Sequence, residues 1–102
     1  FPAPKGILTI DQGAEEAILM KGGSLLAIGI SKVEGTFEKS DVVEIKNQAE
    51  KIVARGITRF NKDELLCIQG KQNEEISSIF PSENRLEVIH RDHLAQLQTE
   101  IS

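Results

Sequence analysis

The chain has 102 residues, 39% of them hydrophobic, with 16 acidic against 12 basic side chains and a formal net charge of −4. That length suits one domain with a modest core and excludes two. The acidic balance argues against a whole-molecule field for polyanions, and four Phe without Trp or Tyr offer few platforms for stacking bases.

Pro2 and Pro4 make residues 1–5 a stiff, linker-like lead. Gly6 to Ile10 has the apolar alternation of a short strand. Asp11 then caps a helix with Ala14, Ala17 and Ile18 at helical spacing, and Glu15 and Glu16 lie near its positive end. Gly22-Gly23 stops it.

The stretch from Ser24 to Asp41 organises the rest. Leu26, Ile28 and Ile30 alternate as one strand face and Leu25, Ala27 and Gly29 as the other, so the strand calls for cover on both sides. Gly29 marks a kink or a close approach by another element. Turns follow at Glu34-Gly35 and at Lys39-Ser40-Asp41.

Val42 to Lys46 and Ile52 to Thr58 form an antiparallel hairpin across the polar loop 47–51, with Glu44 and Lys46 on a solvated face. Gly56 suggests a bend or bulge in its second strand. Asn61 with Glu64 has the form of a capping box, and Leu65 and Ile68 give that helix an apolar stripe ending at Gly70. Asn73 to Phe80 supplies another short helix, stopped by Pro81. Leu86, Val88 and His90 share one face of a last strand, and Arg91 to Ser102 is a polar stretch expected to fray. These elements predict a mainly β, mixed α+β domain with peripheral helices.

Candidate chemistry is sparse. Gly22-Gly23 beside Lys21 and Ser24 has phosphate-loop composition. A phosphate cradle, however, needs its glycines before a helix, and these follow one. His90, Asp92 and His93 crowd together, but in an extended segment His93 points away from the other two, so no metal site is assigned. Cys67, between Leu66 and Ile68, has no neighbouring base, and buried packing is its expected role. As the single cysteine it closes no internal disulfide, which fits a reducing compartment. No apolar run reaches the ~20 residues of a membrane span, and no signal-peptide pattern opens the chain.

GILTIDQGAEEAI from Gly6, SLLAIGISKVEGTFEKSD from Ser24 to Asp41, ARGI from Ala54 to Ile57 and VIHRDHL from Val88 to Leu94 together resemble the C-terminal PUA domain of glutamate 5-kinases. The resemblance runs from about Gly6 to Leu94, leaving residues 95–102 as a polar tail, and implies a PUA pseudo-barrel. It departs at Ser40-Asp41, where such domains typically carry Gly-Asp at a position suited to positive φ.

The resemblance also implies a parent enzyme, cytoplasmic and oligomeric, that uses ATP and Mg²⁺ to phosphorylate the side-chain carboxylate of glutamate. That step opens proline biosynthesis and is subject to proline feedback. The kinase domain carrying this chemistry is not in this sequence, so the fragment is expected to be catalytically silent, with no cofactor or metal of its own. In the PUA superfamily RNA is held by the first helix, the strand after it and the last strand. By that resemblance Lys21, Ser24, Lys32, His90 and Arg91 are the candidate RNA contacts.

Two roles follow. A regulatory or interaction module would touch the kinase domain or a neighbouring subunit; an RNA-binding module would need a clustered basic face. The acidic balance and scarce aromatics favour the first.

Overall fold

The computed structural model describes residues 3–83 and 85–97. Strand β1 (Gly6–Ile10) buries alternate residues Gly6, Leu8 and Ile10, as a half-covered strand must. Helix α1 (Gln12–Leu19) starts where the Asp11 carboxylate accepts the Ala14 N–H at 2.8 Å. It ends where the Gly23 N–H returns to the Ala17 carbonyl at 2.8 Å. Ile18 is its buried anchor.

The next segment departs from the expected continuous strand. β2 is only Leu25–Leu26, a 3₁₀ turn takes Ala27–Gly29, and β3 resumes at Ile30–Gly35. Burial still alternates across it, with Leu25, Ala27 and Gly29 covered and Leu26 and Ile28 39% and 48% exposed, and the turn shifts the phase only at Ile30, which is buried next to Gly29. Gly29 sits at the contact with α1, since a Cβ there would lie 2.4 Å from the Ala14 Cβ. The predicted kink and the predicted close approach meet at this one residue.

β4 (Val42–Lys46) and β5 (Ile52–Ile57) form the expected antiparallel pair, with the Glu44 and Lys46 side chains only partly exposed. The ladder's irregularity lies between Ile45 and Lys46, away from Gly56. Gly56 keeps regular register and instead leaves room for Ile89, whose Cγ2 a Cβ would meet at 2.7 Å. Ser40 adopts φ 75°, the left-handed conformation that a glycine takes without strain.

α2 (Lys62–Ile68) carries the full capping box, in which Asn61 and Glu64 satisfy each other's backbone N–H groups. α3 (Asn73–Ile79) follows, and Phe80 after it packs its ring 5.9 Å from that of Phe60. Cys67 is exposed, contrary to expectation. On a helix that buries Leu65 and Ile68, residues 66 and 67 between them face outward.

β6 (Glu87–Ile89) pairs with β2 in a two-stranded ribbon, and both Val88 and Ile89 are buried. A 3₁₀ turn over Arg91–His93 leads into β7 (Leu94–Gln96), which pairs antiparallel with β5. Within the stretch expected to fray from Arg91, Leu94–Gln96 thus forms the strand at one edge of the main sheet, and residues 98–102 of that stretch lie outside the described residues. The Gln96 amide reinforces it by donating to the Ile18 carbonyl at 3.0 Å. The five-stranded sheet runs β3-β1-β4-β5-β7, with β1 parallel to β4 and the other pairs antiparallel. It is open at both edges, and with the ribbon and helices it gives the mixed α+β fold predicted. No helix among the described residues is long and apolar enough to cross a membrane.

Candidate functional site

Three of the five sequence-predicted residues converge where the α1–β2 turn meets the end of β6. Ser24 Oγ accepts the backbone N–H of Arg91 at 2.9 Å, joining segments 67 positions apart. His90 caps the following 3₁₀ turn, its Nδ1 accepting the Asp92 N–H at 3.1 Å. The same Nδ1 lies 3.5 Å from the Asp92 carboxylate. Lys21, three residues before Ser24, is exposed, as is Arg91.

Lys32 does not join them. It lies on β3, opposite Thr9 in the β1–β3 ladder, with Nζ 3.7 Å from Glu34. The outer sheet face around it is a lattice of opposite charges. Lys46 lies 3.7 Å from both Glu34 and Glu50, and Arg55 3.1 Å from Glu44 across the β4–β5 pair. Each cation there already has a carboxylate. Among the described residues, Lys21, Arg85 and Arg91 have none within 4 Å, and neither have Lys5, Lys51, Lys62 and Lys71 elsewhere on the surface.

The structure adds residues that the sequence reading did not propose. The exposed Leu26 and Ile28 wall a groove of about 310 Å³ against Ala14 and Ala17 of α1. On the other side of Leu26 a second groove, of about 380 Å³, is lined by Asn73, Arg85, Leu86, Glu87 and His90. Alternation places Leu26 and Ile28 on one face but does not reveal that this face lacks a packed neighbour. Arg85 lies in the loop before β6, where no periodic signal marks it.

The groups that phosphoryl transfer from ATP·Mg²⁺ would require do not fit these residues. Gly22 and Gly23 follow α1 and precede β2, so they cannot line the mouth of a helix. No cluster of three or more His, Cys, Asp or Glu suited to a metal occurs among the described residues.

Comparison with known proteins places this geometry. The PUA domain family model matches residues 6–80. The chain is 43% identical over 97 residues to a C-terminal region of glutamate 5-kinase from Vibrio campbellii, covering 95% of this chain and 26% of that one. It thus spans about a quarter of the length of the curated relatives it matches. Among solved structures it is similar to a PUA domain from Aeropyrum pernix K1, crystallised as a tartrate complex, with TM-score 0.62 and 27% identity over 87% of this chain and 42% of that one. A further likeness, one of fold alone, is to the archaeal box H/ACA sRNP Nop10-Cbf5 complex: TM-score 0.58, 20% identity, 92% of this chain and 24% of that one.

Proposed function

Because the chain belongs to the PUA domain family, we propose that it is the C-terminal accessory domain of a glutamate 5-kinase and serves as a docking and regulatory module. The observation that carries this reading is the 43% identity over 95% of the chain to only a quarter of a glutamate 5-kinase. The parent phosphorylates the γ-carboxylate of L-glutamate with ATP and Mg²⁺ in the cytoplasm, opening proline biosynthesis, and does so as an oligomer. The amino-acid kinase domain holds that chemistry. This domain contributes a surface, and the exposed Leu26 and Ile28 beside α1 supply apolar area of the kind that docking buries. Any regulation arises from unequal contacts with the kinase's active and inhibited states.

The test compares the full-length kinase with a version lacking this domain. Retained phosphoryl transfer with an altered response to proline is the expected result. An unaltered proline response, or loss of transfer in a folded truncation, overturns the reading.

A second reading, RNA binding, is favoured by one observation: the Ser24–Arg91 hydrogen bond sets the unpaired Arg91 beside His90, with Lys21 three residues from Ser24. Structured RNA titrated at low and physiological salt tests it, with Lys21→Ala and Arg91→Ala as controls. Saturable binding that weakens with salt and in both variants supports RNA recognition. Absence of binding at low salt removes it.

A further inference from the structure

The two edges of the main sheet differ in charge. At one edge β7, Leu94 to Gln96, carries no charged residue. At the other, β3 holds Lys32 and Glu34 on its outer face, with Lys32 Nζ 3.7 Å from the Glu34 carboxylate. Val33 between them turns inward and packs on the same core as Leu65 and Ile68 of α2.

The main chain of β3 is only half used. The Thr9 carbonyl accepts the Ser31 hydroxyl at 3.3 Å and the Asp11 N–H bonds to the Gly29 carbonyl at 2.9 Å, so the odd-numbered residues there point their main-chain groups at β3. Glu34 and Lys32, the partners of Ile7 and Thr9, point theirs back. The N–H and C=O of Val33 are left directed away from the sheet. Among the described residues no strand pairs on that side, and no turn or loop bonds to Val33 there.

Such an edge is ordinarily guarded by a lysine or a bulge, and β3 has both, since its ladder skips Ser31. Glu34 lifts the guard for one kind of partner, a strand that sets a lysine opposite it and a glutamate opposite Lys32. The same strand run antiparallel meets that description.

We propose that β3 pairs antiparallel with β3 of a second copy of this chain, about a two-fold axis through Val33. Val33 exchanges both main-chain bonds with its counterpart, while Lys32 stands opposite Glu34 of the second copy and Glu34 opposite its Lys32. A slide of two residues would set Lys32 against Lys32 or Glu34 against Glu34, which is unfavourable. A slide of one would bring free main-chain groups against used ones. Charge and bonding therefore select one register. The proposal goes beyond the docking role, uses a different surface and does not depend on it.

Sedimentation equilibrium of the 102-residue chain from about 10 µM to about 1 mM tests it. A monomer–dimer equilibrium is expected, weak because one short strand makes a small interface. Amide-resolved NMR over the same range should move residues 31–35 and slow exchange of the Val33 amide. Lys32→Glu and Glu34→Lys each set like charges opposite one another and should weaken association about tenfold or more. An equimolar mixture of the two should regain it, because every opposed pair then has opposite signs. Lys51→Glu, the same charge change at an exposed loop position, should associate like the parent. Should Glu34→Lys fail to fold beside Lys46, the contrast between Lys32→Glu and Lys51→Glu decides alone. A chain still monomeric at about 1 mM, or association untouched by Lys32→Glu or equally weakened by Lys51→Glu, overturns the assignment. So does a mixture of folded variants that regains nothing, or shifts at residues 94–96 in place of 31–35.

Discussion

The outer face of the five-stranded sheet and the end formed by α1, β2 and β6 use charge in opposite ways. On the sheet, Lys32, Lys46 and Arg55 each sit within 4 Å of a carboxylate, and Lys46 is only 17% exposed. At the other end Lys21, Arg85 and Arg91 have no such partner among the described residues, and Leu26 and Ile28 stand exposed between them in sequence. A net charge of −4 therefore says little about where a partner would bind. Counting basic residues overestimates the available ones, because cross-strand neighbours neutralise those on the sheet.

The largest effect that would break this contrast comes from Gly29→Ala. Its methyl would lie 2.4 Å from the Ala14 Cβ, so α1 and the 3₁₀ turn must separate, at a cost of about 2 kcal/mol. Chemical denaturation should record that loss. Hydrogen exchange should speed in α1 and around residues 24–29, with protection of the β1–β4–β5 sheet retained apart from the global decrease.

Ser24→Ala is the next test. It removes the acceptor of the Arg91 N–H and should cost about 1 kcal/mol, the net worth of one hydrogen bond. Amide exchange at Arg91 should accelerate while the sheet is unaffected. Equal protection of Arg91 in both proteins would show that the β5–β7 pairing alone holds the segment.

Ser40→Gly acts in the opposite direction. Relieving a left-handed serine gains roughly 1–2 kcal/mol, offset by about 0.5–1 kcal/mol for the freer unfolded chain. A stabilisation of about 0.5–1 kcal/mol should appear as a raised denaturation midpoint with an unchanged slope.

The smallest expected change is on the sheet face itself. Lys46→Gln removes two ion pairs, yet partly exposed pairs are worth at most about 1 kcal/mol and weaken with salt. Stability should fall slightly at low ionic strength and converge on the parent at high salt. A large loss that salt does not reduce would mean that the lattice is structural in its own right.

Local signals in the sequence determined most of the elements. The alternation of Gly6 to Ile10, the Asp11 cap, the hairpin from Val42 to Thr58, the Asn61–Glu64 capping box and the stop at Pro81 each depend on residues within one or two turns of one another. Their physics is short-range, so a linear reading reaches it. The match of GILTI, SLLAIGIS, ARGI and VIHRD to one family carried the fold the rest of the way, and Ser40 was recognisable as a residue at a position suited to positive φ.

Only the tertiary structure decided which of those residues are available to a partner. Leu26 and Ile28 face outward because their side of the segment is left uncovered, while Leu25, Ala27 and Gly29 turn inward, with Ala14 of α1 against Gly29. Cys67 faces outward because the core lies on the Leu65–Ile68 side of its helix. Lys32 is engaged by Glu34, while Arg91 is tied by its backbone to Ser24, 67 residues away. Leu94 to Gln96 became a strand because β5 offered an open edge. Each outcome depends on a partner brought close by folding, and burial, pairing and exposure are properties of that assembled neighbourhood.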